Sequence, residues 1–474
     1  MRQDKLPFIH LFRTAGNFYL YDVNTDKILQ VPESVYVFLN KEQKYGEKRK
    51  IEDENLKEYI NMLKKYGFLK STKVKKTEHP ETKFLQSYVK SNCTSIILQV
   101  TQNCNLRCDY CVYSGSYYNR KHNNKRMKFE LAKSGIDYLA EHSADVNDVH
   151  IGFYGGEPLL EFDLIKKCID YAEERLDGKN IYYNLTTNGT LITEKIVNYF
   201  EKYGVLMMIS LDGPKQIHDA SRRTIEGKGT YDLIIKNVRM IKEKHPEYYN
   251  KKINFNTVIN TERGYKIIAD YIAGEELFKD SLFKSSLINP HNSKMKKEIK
   301  EQFAEEILYE HFMVLLSKVE EVPKECISVL SQSKSLEMDQ FRYEKNRNGQ
   351  IELPQIGHHS GPCVPGNYRI FMNAYGDFYP CERVSENCDW MKIGNIDDGL
   401  DVKKISEVMN IEKLTEEKCH NCWAYKYCRV CVANINTSYE RPEESILEEC
   451  TAIRSETENK FKDYCVLKLY EYQY

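Results

Sequence analysis

The feature that most constrains this chain is a regular alternation of apolar, β-prone runs with amphipathic stretches between about residues 90 and 290. Six runs have the composition of buried strands: Ile96–Val100, Val149–Tyr154, Tyr182–Thr186, Leu206–Leu211, Ile253–Ile259 and Leu282–Ile288. Apolar residues recur at helical spacing between them, in Phe129–His142, Leu164–Leu176, Thr193–Tyr203 and Tyr231–Lys244. Strands that alternate with helices form parallel βα units. We therefore predict an α/β fold with a partial (β/α)6 TIM barrel, whose chemistry lies at the carboxyl ends of its strands.

Three cysteines follow the first predicted strand within eight residues, namely Cys104, Cys108 and Cys111. Their C-x3-C-x2-C spacing presents three soft thiolates, whereas a cubane iron–sulfur cluster normally takes four cysteine ligands. This claw would hold a cluster and leave one iron open, with Tyr110 packed over the cluster. A zinc knuckle and scattered core thiols are the alternatives, although zinc sites favour four ligands, often in paired C-x2-C units.

Polar and glycine-containing turns follow the later strands. After the second strand, Gly155 and Gly156 would let the backbone approach a ligand closely, and a carboxylate or carbonyl there could bind an ammonium group. The other polar or turn positions are Glu157, Pro158, Asn188, Ser210, Asp212, Arg222, Arg223, Asn256 and Val258. Each turn alone indicates only a chain reversal, but all of them belong to the same end of the predicted barrel as the claw.

The cysteine spacing and the Gly-Gly-Glu-Pro sequence resemble the radical S-adenosylmethionine (SAM) enzymes. The resemblance implies that SAM chelates the open iron and that an electron from the cluster cleaves SAM to a 5′-deoxyadenosyl radical. Ser210 and one arginine, Arg222 in preference to Arg223, would hold the carboxylate and the ribose, because a guanidinium offers paired donors. Asn256 and Val258 would contact the ribose and the adenine. The implied SAM contacts are Tyr110, Gly155, Gly156, Glu157, Pro158, Asn188, Ser210, Asp212, Arg222, Asn256 and Val258.

A second group of cysteines lies near the end of the chain: Cys363, Cys381, Cys419, Cys422, Cys428, Cys431 and Cys450. The turn at Gly376 separates Tyr368–Met372 from Asp377–Tyr379, so a hairpin is predicted to present Cys381. Seven cysteines in this order resemble the SPASM extension of radical SAM enzymes, which binds two auxiliary [4Fe–4S] clusters. Two zinc ribbons are the alternative.

The SPASM resemblance implies three [4Fe–4S] clusters in all. One auxiliary cluster would be held by Cys419, Cys422, Cys428 and Cys450, and the other by Cys363, Cys381 and Cys431. The family has three residues between the pair that is here Cys428 and Cys431, whereas this chain has two. The set of three is either completed by another cysteine such as Cys388 or leaves an iron open for a substrate thiolate. Most of the remaining cysteines are predicted to be ordinary buried thiols: Cys93, Cys168, Cys326, Cys388 and Cys465.

The first 85 residues predict a separate small unit. Phe8–Val31 alternates apolar and polar residues as short strands do, and helices are predicted at Glu33–Leu39 and Leu56–Leu69, with Gly67 as the stop. Strands followed by helices indicate a winged-helix-like unit and resemble the RiPP recognition element, which binds the leader of a ribosomally made peptide as an added strand. A plain packing domain and a DNA-binding winged helix are the alternatives, but no helix dense in Lys and Arg supports DNA binding.

Five segments are predicted along the chain. They are a leader-binding unit (1–85), a radical SAM partial barrel (90–290), a helical bridge (291–355), a SPASM domain with two auxiliary clusters (356–455) and a C-terminal helix or tail (456–474). Residues 71–83 are polar and charged and are predicted to be a linker. His358 and His359 could be ligands or acid–base groups, but an exposed loop is the preferred interpretation.

Composition narrows the classes of partner. A net charge of −1 gives no reason to expect nucleic acid, and no apolar run approaches the roughly 20 residues that span a bilayer. Residues 1–7 precede no apolar run of the kind found in signal peptides. The 15 cysteines fall into C-x2-C and C-x3-C groups, which favours ligation in a reducing cytoplasm over disulfides. The expected partners are a precursor peptide and an external electron donor of the flavodoxin or ferredoxin type.

The combination of recognition unit, barrel and SPASM region resembles the thioether-forming sactipeptide and ranthipeptide maturases. It implies a radical SAM oxidoreductase that joins a peptide Cys sulfur to a carbon. Carbon–carbon crosslinking and formylglycine-type oxidation are alternatives, although sulfatase maturases lack a leader-binding domain. A non-catalytic iron–sulfur or zinc protein would leave the glycine turn and the residues at the strand ends unexplained.

Overall fold

The computed structural model describes residues 6–14, 16–279, 281–294, 298–346, 353–359, 363–436 and 442–471. The absence of a signal peptide was predicted from residues 1–7, and residues 1–5 lie outside the described residues. The strands are β1 Ile9–Thr14, β2 Asn17–Asp22, β3 Lys27–Val31, β4 Lys76–Thr77, β5 Ser95–Thr101, β6 Asp148–Gly155, β7 Asn180–Thr187, β8 Leu206–Ser210, β9 Ile253–Ile259, β10 Phe283–Leu287, β11 Ile356–Gly357, β12 Ile370–Met372, β13 Asp377–Tyr379, β14 Gly394–Asn395 and β15 Gly399–Leu400. The helices are α1 Glu33–Tyr45, α2 Glu54–Lys65, α3 Leu85–Ser91, α4 Phe129–Glu141, α5 Phe162–Arg175, α6 Glu194–Lys202, α7 Lys215–Ser221, α8 Tyr231–Lys244, α9 Pro246–Lys252, α10 Lys266–Gly274, α11 Glu301–Lys318, α12 Gln332–Asn346, α13 Val402–Met409, α14 Glu416–Cys419 and α15 Pro442–Glu471.

Six parallel strands, β5 to β10, form the predicted barrel wall in chain order. The predicted bounds of β9 are confirmed, and those of the other five differ by at most two residues at either end. Their apolar side chains alternate into the core, as Val149, Ile151 and Phe153 do on β6, each at most 1% exposed. Among the described residues β10 pairs only with β9, so the wall stays open on that side.

Four strands from the C-terminal region extend this wall at its other end. β12 lies parallel to β5, with Ile370 opposite Ile96, and β13, β14 and β15 follow as antiparallel neighbours. The predicted hairpin is therefore confirmed in β12 and β13, but the sheet is a mixed sheet of ten strands instead of the six-strand wall alone. The pairing of β12 with β5 was missed because its partners lie far apart in the chain.

The N-terminal unit is an antiparallel sheet, β1-β2-β3, followed by α1 and α2. Successive side chains of β2 point to opposite faces, so Leu20 packs towards the two helices while Tyr19 and Tyr21 pack on the other side. Asp53 caps α2 by accepting the backbone N–H of Leu56. Gly67 follows α2 with a φ of 87°, as expected for the predicted stop.

The second face of the N-terminal sheet packs on the C-terminal half of the chain. It shares an aromatic core with Trp423, Tyr427 and Phe461, the last of which lies on α15. The segment predicted as a linker contributes β4, which pairs with β11 next to this core. α15 begins at Pro442, so it crosses the predicted boundary at residue 455, and its apolar residues do not form a single stripe that would mark its start.

Between the barrel and the second cysteine group, the described residues include two long helices, α11 and α12, and α12 packs on α15. The bounds of a helical bridge at 291–355 stay a prediction. Within the described ranges, no helix combines the length and the apolar content needed to cross a bilayer.

We expect Phe461→Ala to loosen the N-terminal unit. The Phe461 ring is fully buried, and its centroid lies 4.6 Å from that of Tyr21 and 5.1 Å from that of Tyr427. Truncating such a ring costs about 3–5 kcal/mol of unfolding free energy, and Phe461→Leu should cost less because it fills more of the space. Thermal unfolding and limited proteolysis of residues 6–70 measure the effect, and an unchanged melting temperature would contradict it.

Candidate functional site

The three claw thiols come together in one buried cluster. Cys104 and Cys108 are 8% and 9% exposed, enclose Leu106 and have Cys111 packed against them. Burial raises the pKa of the Cys104 and Cys108 thiols to about 12 and also raises the pKa of Cys111. Metal ligands must be deprotonated, so these thiols need a strong positive charge among them to act as thiolates.

The C-terminal end of α7 holds the claw in place. The backbone N–H of Arg107 donates to the carbonyl of Arg223 (2.7 Å), and that of Asp109 donates to the carbonyl of Ser221 (3.2 Å). Leu106 forms a further bridge with Thr224. The segment after the fourth barrel strand therefore fixes the conformation of the loop that carries the cysteines.

The turn after β6 contacts the backbone that leads into the claw. A Cβ on Gly155 would lie 2.0 Å from the Thr101 carbonyl oxygen, and one on Gly156 would lie 2.1 Å from the Asn103 oxygen. The backbone N–H groups of Gly156 and Glu157 donate to these same two oxygens at 3.0 and 2.9 Å. The glycines were predicted to admit a ligand, but the Cβ positions are taken by the chain itself.

The Glu157 carboxylate is buried in its own set of hydrogen bonds. It accepts the Thr187 hydroxyl (2.7 Å) and the backbone N–H groups of Asn188 (2.7 Å) and Leu159 (3.0 Å). Burial raises the pKa of Glu157, and these donors oppose that shift. Three donors therefore hold the carboxylate in place and leave about one of its acceptor positions free, and its contact with an ammonium group, like that of the backbone carbonyls of the turn, stays a prediction. Pro158 begins the short 3₁₀ turn that follows.

The side chain of Arg222, not that of Arg223, reaches the claw. Its Nε forms a buried ion pair with Asp212 Oδ2 (2.9 Å), and its Nη1 lies 4.0 Å from Cys108 Sγ. Tyr110 donates its hydroxyl to the same Asp212 oxygen, and the Arg222 guanidinium lies 5.4 Å from the Tyr110 ring centre. Arg223 instead donates to the Asp219 carbonyl at the surface. The preference for Arg222 thus agrees with the geometry, while its contact with SAM stays a prediction.

The remaining predicted contacts line the same strand ends. Ser210 ends β8 and is 6% exposed, and Asn188 donates its amide to Asn105 Oδ1 (2.8 Å) inside the claw. The Asn256 carbonyl accepts Leu211 N–H, and Val258 N–H donates to Asp212 Oδ1 (3.1 Å). These contacts connect β7, β8 and β9 to the claw through short polar bridges.

Two groups of neighbouring thiols can be distinguished among the later cysteines. Burial raises the pKa of several of these thiols, and charge repulsion from other thiols of the same group raises it further. One group is Cys363, Cys381 and Cys431, and the other is Cys419, Cys422, Cys428 and Cys450. Their assignment as the ligand sets of two clusters stays a prediction. Cys388 is half-buried against the apolar core. Among the other spare cysteines, Cys93, Cys168 and Cys465 are buried as predicted, whereas Cys326 is exposed.

The chemistry of the claw thiols fits a cluster. A cubane binds each thiolate through a different iron, so its ligands stand farther apart than the ligands of one ion. The three claw thiols are grouped at the barrel mouth with Arg222 beside Cys108, and such a grouping could hold a cluster through three of its irons.

A buried acid–histidine cluster was missed by the sequence reasoning. His358 and His359 were expected in an exposed loop, but their side chains are 6% and 1% exposed. The Nε2 atom of His358 lies 2.6 Å from Glu412 Oε1, and Glu412 is fully buried. The expectation was wrong because the neighbouring sequence is polar, while Glu412, the carboxylate that pairs with the histidines, lies more than 50 residues later in the chain.

Comparison with known proteins identifies the central domain. Residues 98–261 match the Radical SAM superfamily, so the chain contains a radical SAM domain. TigE of Paramaledivibacter caminithermalis, a radical SAM cyclopropyl synthase, is 27% identical over 223 residues, which are 43% of this chain and 47% of TigE. The cysteine-type anaerobic sulfatase-maturating enzyme of Clostridium novyi is 36% identical over 130 residues, 27% of this chain and 34% of that enzyme. This chain therefore covers less than half of either relative.

A solved structure shares the fold over a longer range. The structure of native anSMEcpe with bound AdoMet has a TM-score of 0.55 and 20% identity, and the match covers 77% of this chain and 100% of that one. The likeness extends beyond the radical SAM domain, in agreement with the mixed α/β sheet described above.

We expect Gly155→Ala to disrupt the claw. The added methyl group would collide with the Thr101 carbonyl, which is backbone and cannot rotate away. Gly178→Ala is the matched control, since Gly178 also has a positive φ (86°) but has nothing within 4 Å of its Cβ position. Iron and sulfide content after anaerobic reconstitution, together with thermal unfolding, measures the effect. Equal iron content in both variants would contradict the steric argument.

Proposed function

We propose that this protein is a radical SAM enzyme that modifies a ribosomally made precursor peptide and forms a thioether between a peptide Cys sulfur and a carbon. The observation that carries the proposal is the presence of three separate thiol groups in one chain with a radical SAM domain. Three [4Fe–4S] clusters, SAM and an external electron donor of the flavodoxin or ferredoxin type complete this proposal, which places the enzyme in the cytoplasm.

The residues around the claw bind and orient SAM in this proposal. When bound, the cluster and SAM together supply the 5′-deoxyadenosyl radical. Arg222 places a positive charge beside Cys108, and Asp212 fixes its guanidinium. Ser210 and the carbonyls of Gly155 and Gly156 lie at the same strand ends, where they offer acceptors for the ammonium and hydroxyl groups of SAM.

The two auxiliary sets differ in whether their cluster has an open ligand position. Cys419, Cys422, Cys428 and Cys450 supply the four thiolates that a cubane takes, so that cluster is closed. The set of Cys363, Cys381 and Cys431 leaves one position open, and a thiolate is a preferred ligand for it. Binding the substrate Cys there, with loss of its thiol proton, would hold the sulfur ready to bond the carbon that loses its hydrogen atom. The auxiliary cluster held by these cysteines would take up the one electron left over when the carbon–sulfur bond forms.

The N-terminal unit binds the leader peptide in this proposal. β3 is an edge strand of its sheet among the described residues, and its backbone can accept an added strand. A groove formed by α1 and the residues before α2 begins two residues after β3 ends, and its charged lining residues are Glu33, Lys41, Glu47, Lys48, Arg49 and Lys50. A strand of leader peptide on β3 would tether the rest of the precursor near the barrel mouth and so raise its local concentration.

Oxidation of a Cys or Ser to formylglycine is a second candidate. The similarity to a sulfatase-maturating enzyme favours it, as does the fold shared with anSMEcpe. The products separate the candidates by mass. A thioether lowers the peptide mass by two hydrogens and removes a Cys that can be alkylated, a carbon–carbon crosslink lowers the mass equally but keeps that Cys, and formylglycine replaces the side chain by an aldehyde.

Replacing a claw cysteine should abolish SAM cleavage. We expect Cys108→Ala to produce no 5′-deoxyadenosine, because three thiolates are needed to hold the cluster. Cys431→Ala should still cleave SAM without peptide but lose peptide modification. Cys168→Ala is the control, since Cys168 is a fully buried thiol outside every set. Chromatographic quantitation of 5′-deoxyadenosine under reducing, anaerobic conditions decides, and cleavage by Cys108→Ala at the unaltered rate would refute the claw assignment.

The leader should matter to modification but not to radical formation. A core peptide without its leader should be modified at least about tenfold more slowly than the full precursor, a difference of ~1.4 kcal/mol. Peptide-independent SAM cleavage should be unaffected, and leader added in trans should restore part of the rate. Mass spectrometry follows the products over time, and equal rates for the two peptides would contradict leader binding.

A further inference from the structure

One buried ion pair near the barrel mouth has no part in the proposed mechanism. Arg120 and Glu386 have side chains that are 5% and 7% exposed, and Arg120 Nε lies 2.5 Å from Glu386 Oε1. Arg120 lies on the loop after Cys111, and Glu386 lies on the segment after Cys381. The pair therefore joins the claw loop to the segment of the three-thiol auxiliary set.

Hydrogen bonds hold both members of this pair. Gln99 donates its amide to Glu386 Oε1 (2.7 Å) and to the Tyr113 hydroxyl (2.9 Å), while Gln102 donates to Glu386 Oε2 (3.3 Å). Arg120 Nη2 donates to the Val384 carbonyl (3.0 Å). Gln99 belongs to β5, so the first barrel strand fixes the ion pair.

The Arg120 guanidinium lies between a ring of the claw loop and a ring of the strand that precedes the Cys381 hairpin turn. On the claw side it is 5.5 Å from the ring centre of Tyr113, and on the auxiliary side it is 5.3 Å from that of Phe371 on β12. Burial raises the pKa of Cys111, and the positive charge of Arg120 opposes that shift. The charge of Cys381 is among those that raise the pKa of Arg120. No other buried arginine in the described part of the chain joins the loops of two thiol sets.

We propose that Arg120 raises the reduction potentials of the claw cluster and of the cluster held by Cys363, Cys381 and Cys431, with Glu386 as the counter-charge that limits the effect. A reduced cluster carries one more negative charge than an oxidised one, so a nearby cation stabilises the reduced form. The effect is strong here because the site is buried and poorly screened. This inference rests on the proposed cluster assignment and adds to it a residue that sets the driving force for electron transfer at both sites.

Stability alone explains the pair poorly. A buried ion pair loses most of its Coulombic gain to desolvation, and well-packed apolar residues often replace one without loss. A charge with a role in redox tuning must instead be buried close to the centres that it acts on, because solvent would otherwise screen it. Arg120 is buried between Tyr113, two residues after Cys111, and Phe371, on the strand that pairs with the one leading to Cys381, and this position meets that requirement.

The test is an anaerobic redox titration of the reconstituted full-length enzyme, followed by electron paramagnetic resonance. The claw signal is identified by its change on addition of SAM. We expect Arg120→Met to lower the midpoint potentials of the claw cluster and of the cluster held by Cys363, Cys381 and Cys431. Glu386→Gln should raise both potentials. The double variant should lie between the single variants. Arg120→Lys should restore part of the potential because it keeps the charge.

Arg175→Met is the control for loss of an arginine from an ion pair. Arg175 pairs with Asp137 (2.7 Å) between α4 and α5, two helices that carry none of the predicted cluster ligands, and its side chain is 37% exposed. Its potentials should equal those of the wild type. Unchanged potentials in Arg120→Met and Glu386→Gln, with only a lower melting temperature, would overturn the inference and leave the proposed function intact. A wild-type protein without iron and sulfide would overturn both.

Discussion

The backbone contact between the turn after β6 and the residues that lead into the claw is the constraint on which the rest of the site depends. Two N–H groups of that turn donate to the Thr101 and Asn103 carbonyls, at a separation that admits only glycine at 155 and 156. Since the claw begins at Cys104, this contact sets the position of the first thiol. Glu157 extends the restraint to Asn188, whose amide reaches back to Asn105.

The barrel could be predicted from the sequence because its information is local. Each strand is a short run rich in apolar residues between amphipathic helices, and its alternating side chains point into the core. The pairing of β12 with β5 carries no such local signal, since a three-residue apolar strand fits many partners. The sequence therefore indicated the hairpin that precedes Cys381 but not that it continues the barrel sheet.

The charged groups show the same limit. The sequence offered Arg222 and Arg223 side by side, and only the helical turn of α7 before them turns one inward to Asp212 while the other faces solvent. The burial of His358 was predicted wrongly, and that of Arg120 was not predicted at all, for a related reason. Their carboxylate partners, Glu412 and Glu386, lie on other segments, so burial of these charges becomes apparent only when the chain is folded.

The two-sided packing of the N-terminal sheet has a consequence for biosynthesis. One face of β2 is covered by α1 and α2, which leave the ribosome soon after it, but Tyr21 on the other face waits for Trp423 and Phe461. During translation the nascent unit must therefore expose an aromatic surface until the chain as far as Phe461 has emerged. Chaperones that shield such surfaces would act on this chain over that whole interval.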